Sequence, residues 1–249
     1  MEQQEWMEYV KKVTTCHYPV PAAMVQDYND WRCRSIVGRM LYFLKDIEGA
    51  IAILTTVKDV EPNLEDVPKQ GLSEAEHKVL CLRDIAEIVW SLTHTAYAPL
   101  IYLEEAYDLC RKYQHLFRSV DRGAILYRRL ELLEADGQQL QAVALASSII
   151  EKEGGVEAVN PYVFYSLGYL GQVAGKAGNY SKGAQLLAQA YKYYPLNDKA
   201  REDLAQAASI EEPQARYEAY VKCHGTKYNV WEYVPPAVIR RDEKGNLIH

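Results

Sequence analysis

No stretch of this sequence approaches the ~18 uninterrupted apolar residues of a membrane-spanning helix. The opening residues, Met-Glu-Gln-Gln-Glu-Trp, lack the basic segment and apolar run of an export signal. A cytoplasmic protein with no membrane partner is therefore expected. Basic charge is also short: 28 Lys and Arg face 34 Asp and Glu, a formal charge of −6. Binding to phosphate backbones by counterion release is disfavoured, so no nucleic-acid partner is expected. The local excess after Val221, five basic against three acidic residues, is too small to change this. Five scattered cysteines with no CxxC pair do not make a disulfide framework and suit reduced thiols.

Catalytic and metal motifs are missing too. There is no GxSxG, HExxH, P-loop or GxGxxG pattern. Cys16-His17 and Cys223-His224 place neighbouring side chains in different directions and lack the spacing of a zinc site. His77, His94, His115 and His249 are isolated, and the acidic runs Glu61 to Asp66 and Glu104-Glu105 read as solvated faces. No enzymatic activity, metal or cofactor is expected.

Breakers are few: 14 glycines and 10 prolines in 249 residues, with Pro19, Pro21, Pro62, Pro68, Pro161, Pro195, Pro235 and Pro236 where helices would start or stop. Between them apolar residues return every three or four positions, the signature of amphipathic helices. The pattern predicts helices over Glu2 to Val13, Ala22 to Lys45, Glu48 to Lys58, Ser73 onward, Ala98 to Leu116, Asp121 to Ala135, Leu140 to Glu153, Pro161 to Ala177, Tyr180 to Tyr193, Asp198 to Ala208 and Gln214 to Lys222. Asp59 to Gly71 reads as a loop, and Ser73-Glu74-Ala75-Glu76 has the form of a capping box. From Tyr228 the composition shifts to Val, Ile, Tyr, Trp and Pro, and Val238 to Ile248 reads as a small hairpin or extended arm.

An internal repeat is the most specific feature. Gly38, Ala50 and Pro62 are spaced by twelve and twelve, as are Gly171, Gly183 and Pro195; Val37 matches Leu170, Leu54 matches Leu187 and Val57 matches Ala190. Paired helices come close only where small residues face each other, which predicts Gly38 opposite Ala50 and Gly171 opposite Gly183. One such pair cannot bury its own apolar face, so pairs must stack.

Through Leu170-Gly171, Gly178-Asn179-Tyr180, Ala190 and Pro195 the sequence resembles the tetratricopeptide repeat family, with a weaker copy around Gly38. The resemblance covers roughly Trp31 to Asn197. Gly38 and Gly171 lie 133 positions apart, about 44 for each of three steps, against ~34 in the family. The resemblance implies an all-α, right-handed superhelical solenoid of antiparallel helix pairs. Residues 1–222 would form it: a cap over 2–13, about four pairs over 22–195 and capping helices over 198–222, followed by a tail over 223–249.

The resemblance also implies a non-catalytic interaction module that binds a peptide or protein segment on the face made by the first helix of each pair. The residues expected there are Arg39 and Tyr42, then Tyr127, Arg128 and Glu131, then Tyr165, Tyr169, Gln172 and Lys176. Tyrosine, present twenty times, suits such a face because its ring buries area while its hydroxyl stays wet. The Lys/Asn/Lys/Arg clamp by which some family members hold a carboxyl terminus is not found. Two other readings stay open: a ligand-responsive regulatory sensor, and a homo-oligomeric scaffold joined through Trp231, Tyr233, Val234, Val238 and Ile239.

Overall fold

A computed structural model of the protein describes residues 3–65, 71–154, 159–194, 198–225, 240–241 and 247–248. Its described residues form eleven α-helices: α1 (Gln3–Thr14), α2 (Trp31–Phe43), α3 (Ile47–Leu54), α4 (Glu74–Thr93), α5 (Tyr97–Lys112), α6 (Arg122–Ala135), α7 (Gln139–Glu153), α8 (Pro161–Lys176), α9 (Tyr180–Ala190), α10 (Asp198–Ala208) and α11 (Pro213–Gly225). In the tail, β1 (Arg240–Arg241) pairs antiparallel with β2 (Leu247–Ile248), as a hairpin requires. The fold is all-α apart from that pair. No helix among the described residues is long and apolar enough to cross a membrane. Pro195 and the five tail residues expected at an oligomer contact lie outside the described residues.

The chain divides into two compact units, one of residues 1–120 with 233–249 and one of residues 121–232. In the first, α1 packs on α2, α2 and α3 form a hairpin, α4 and α5 form another, and α2 and α3 both touch α4. The core joins Trp6, Val10 and Val13 of α1 to Val37 and Leu41 of α2, Ile53 and Leu54 of α3, and Cys81 and Ile88 of α4. In the second, α6/α7 and α8/α9 are the hairpins, α8 packs on both α6 and α7, and α11 lies on α9 and α8.

Local chemistry sets most boundaries. Ser73 Oγ accepts from the Glu76 amide at 3.2 Å while Glu76 Oε2 accepts from the Ser73 amide at 3.0 Å, completing the capping box. Asn160 caps α8 with Pro161 in its first turn, and Asn179 caps α9. Gly137 and Gly178, with φ of 77° and 81°, reverse the chain inside the α6/α7 and α8/α9 hairpins.

One expected helix is divided. Ala22 to Lys45 holds a 3₁₀ turn at Ala22–Met24, a non-helical stretch, and only then α2 from Trp31. The cause is local: Asp27 Oδ1 accepts from the Asn29 amide at 2.8 Å and Asp30 Oδ1 from the Arg32 amide at 2.9 Å. Such short side-chain bonds compete with the helix and start it afresh at Trp31.

The glycine contacts are partly as expected. A Cβ on Gly171 would lie 2.9 Å from Leu187 Cγ and 3.1 Å from the Gly183 carbonyl oxygen, so those two glycines do meet. For a Cβ on Gly38 the nearest atoms are instead those of Leu54 at 2.7 Å and Ile53 at 3.1 Å. The contact common to the two hairpins is thus glycine against leucine, Gly38 with Leu54 and Gly171 with Leu187.

Candidate functional site

In the first unit the face of α2 is closed. Arg39 is 7% exposed, and its Nε donates to Asp84 Oδ2 of α4 at 2.9 Å; Arg83 Nε donates to the other oxygen of Asp84 at 2.9 Å. Burial pulls the Arg39 pKa down and the Asp84 charge opposes it. Arg39 is therefore no partner-facing residue as expected: it neutralises a buried carboxylate. Tyr42 is half-buried against the same core, with the Lys45 ammonium 5.8 Å from its ring. Nearby, His77 is buried beside Trp31 with Nδ1 unpartnered, and burial lowers its pKa to about 3.

In the second unit α6 and α8 lie side by side and most of the expected residues converge. Tyr165 Oη donates to Asp121 Oδ2 at 2.6 Å, Gln172 Nε2 to Tyr127 Oη at 2.8 Å, and Lys176 Nζ to Glu134 Oε1 at 2.7 Å. Arg128 pairs with Glu131 at 3.1 Å along α6. Side-chain exposure rises towards the rim, 27% at Arg128, 43% at Glu131 and 59% at Lys176. Tyr169 departs from expectation: it is 2% exposed, packed between helix layers rather than open to a partner. Its hydroxyl faces Glu134, and burial and that carboxylate raise its pKa.

Asp121 anchors one end of this face. It caps α6 by accepting from the Gly123 and Ala124 amides at 3.0 and 3.2 Å, and burial raises its pKa to about 6 despite those bonds and the Tyr165 hydroxyl. Burial and the neighbouring Asp121 raise the Tyr165 pKa in turn, and burial with the Glu131 charge takes Tyr127 to about 12. At pH 7 both phenols are neutral, able to donate and accept hydrogen bonds.

The role of α11 escaped the sequence reading. His224 lies over Gly168, with Phe164, Tyr165 and Tyr127 at ring distances of 4.7, 5.9 and 6.1 Å. Both its ring nitrogens are buried without a partner, and burial lowers its pKa to about 4. Tyr217, seven positions earlier, rests on Gly175 and Gly183 and stacks near Tyr180 at 5.6 Å. The signal was present as Gly168 and Gly175 seven apart on α8 and Tyr217 and His224 seven apart on α11, but neither pair announces the other.

None of the five cysteines is in a disulfide, and among the described residues no group of three or more His, Cys, Asp and Glu is placed to hold a metal ion. A recess of about 420 Å³ beside α1 is lined by Trp6, Met7, Gln26, Asp27 and Tyr28, with Asp27 bonded to its own loop. No protein-family model matches this chain, and neither a curated protein nor a solved structure is significantly similar to it.

Proposed function

We propose that the chain is a non-catalytic interaction module built of tetratricopeptide-like helix pairs, which holds a peptide or protein segment on the face shared by α6 and α8. The observation that carries this reading is the lateral packing of first helices, α2 on α4 and α6 on α8, bridged by hydrogen bonds between residues 42 to 45 positions apart. That separation equals the step of about 44 read from the repeat, so equivalent positions of successive pairs meet, as stacked repeats require.

The chemistry of the face suits a peptide. Tyr127 and Gln172 form a half-buried centre with hydrogen-bonding capacity, while Arg128 and Lys176 sit at its rim in exposed ion pairs with Glu131 and Glu134. Exposed pairs of this kind contribute only ~0–1 kcal/mol. A carboxylate-bearing segment exchanges them for its own acids at little loss and gains steering from both cations. Cysteines that form no disulfide fit a reducing, cytoplasmic setting.

The test uses peptides selected from a displayed random library against the folded 249-residue chain. Binding, read by fluorescence anisotropy, should weaken at least tenfold for R128E/K176E and stay unchanged for K182E on α9. Equal affinity for all three proteins refutes the assignment of the face.

A further inference from the structure

Helix α5 buries Pro99, Leu103, Ala106 and Cys110, and within its unit it packs on α4 and on the 3₁₀ turn Gln114–Leu116 that follows it. The second helices of the other hairpins each have a further neighbour: α3 touches α4, α7 touches α8 and α9 touches α11. On the side of α5 away from its buried residues, Tyr97, Ile101, Glu104, Asp108 and Lys112 follow at helical spacing and form one outward stripe, bordered by Glu105. All six residues are exposed.

A helix packed on one side keeps polar residues outward, and the first half of this stripe breaks that pattern. Tyr97 is 77% exposed and Ile101, one turn on, is 53% exposed; Leu92 in the last turn of α4 is 61% exposed. Single exposed apolar residues are ordinary, but neighbours on one helix face leave apolar area in water that a partner can cover.

The second half of the stripe decides what kind of partner fits. Glu104, Glu105 and Asp108 put three carboxylates within about two turns. Lys78 Nζ comes within 3.5 Å of Glu105 Oε1, but the lysine side chain lies inward at 4% exposure and that of Glu105 stays 49% exposed. Lys112 ends the stripe, its ammonium 5.2 Å from the Tyr113 ring. Three carboxylates against one exposed ammonium attract a cationic segment and repel an anionic one. The α6/α8 face, with Arg128 and Lys176 at its rim, has the opposite preference. The formal charge of −6 on each copy also opposes pairing of two chains through this stripe.

We propose that the outward stripe of α5 is a docking surface for a basic amphipathic helix. Apolar residues of that helix cover Tyr97 and Ile101, and its Lys or Arg residues about two turns further along meet Glu104, Glu105 and Asp108. This surface is a second one, on the first unit, separate from the α6/α8 face in its residues and in the charge it selects.

The probe is a short fluorescein-labelled peptide of leucine and lysine with the leucines at helical spacing, and its counterpart has glutamate in place of lysine. The 249-residue chain should bind the lysine peptide, more weakly as salt rises, and bind the glutamate peptide at least tenfold less well. Y97S/I101S should weaken binding of the lysine peptide at least tenfold with an unchanged urea midpoint, because both side chains are exposed. D108K should weaken it about fivefold and flatten the salt dependence. L140S on α7, also at an exposed apolar residue, and R128A/K176A should leave it unchanged, the latter separating the result from the α6/α8 proposal. No binding of the lysine peptide, equal binding of the two peptides, or affinity indifferent to Y97S/I101S overturns the inference. A dimer seen by light scattering that Y97S/I101S dissociates also overturns it, by making a second copy the occupant.

Discussion

Arg39 on α2 donates to Asp84 on α4, 45 positions later, and Gln172 on α8 donates to Tyr127 on α6 across the same interval. One contact is a buried ion pair and the other a half-buried neutral bond, so the shared geometry does not come from shared chemistry. Each bond joins the first helix of one hairpin to the first helix of another that packs on it.

The first of these contacts makes a stability prediction. Asp84 is 3% exposed and serves both Arg39 and Arg83, so D84A leaves the buried Arg39 guanidinium without its carboxylate. A loss of ~3–5 kcal/mol is expected in urea unfolding of the first unit. R39M/D84L, which removes both buried charges, should recover most of it. Equal losses in D84A and R39M/D84L would mean that packing, not charge, fixes α2 to α4.

Glu76 ties the start of α4 to the end of its own unit. Oε1 accepts from the amides of Arg118, Ser119 and Val120 at 2.8, 2.7 and 3.0 Å, while Oε2 serves Ser73. E76Q places an amide donor against backbone donors and should destabilise the unit by ~2–3 kcal/mol. Amide exchange at Ser119 and Val120 should accelerate most. S73A loses mainly the cap, ~1 kcal/mol, and should leave those amides protected.

The capping box and the hairpins were legible because each is written locally. Ser73 and Glu76 sit three apart, and Gly178-Asn179 marks its own turn. What stayed hidden depends on pairings between distant segments. Arg39 looks like a surface cation until Asp84 arrives 45 residues later, and Tyr169 looks like a groove residue until α6 packs over it. Nothing near His224 in sequence discloses that Gly168 leaves room for its ring.

Asp121 and His224 oppose each other in pH. The folded second unit holds Asp121 with a pKa raised to about 6 from 3.8, and His224 with one lowered to about 4 from 6.5. Between roughly pH 4 and 6 the folded state keeps the proton on Asp121 and the unfolded state keeps it on His224. The two states bind equal numbers of protons there, so these contributions cancel. D121N keeps one oxygen for the cap and turns its amide group to Tyr165, whose hydroxyl then accepts instead of donating, and it should expose the His224 slope. Stability of the second unit then rises with pH over this window by about 1.4 kcal/mol per pH unit. H224F should expose the opposite slope, with stability falling as pH rises. Urea midpoints at half-unit pH steps decide it, and parallel curves for the two variants would contradict the assignment.

The glycine-against-leucine contact gives a prediction for both hairpins. Ala in place of Gly gains up to ~1 kcal/mol of helix propensity, so clash alone decides the sign. At Gly38 the new methyl meets Leu54 Cγ and Cδ2 at 2.7 Å, and Leu54 is 0% exposed. G38A should lose ~1–2 kcal/mol net, the range expected of overpacking. At Gly171 the methyl also meets the Gly183 carbonyl, which is backbone and cannot rotate away, so G171A should lose more, ~2–3 kcal/mol. L54A relieves the first clash and L187A relieves the second only in part. Double-mutant cycles should therefore show a coupling of 1 kcal/mol or more for Gly38 with Leu54, and residual destabilisation of G171A/L187A. Additive losses in both cycles would separate the glycines from the leucines, and the two hairpins would not share a common packing rule.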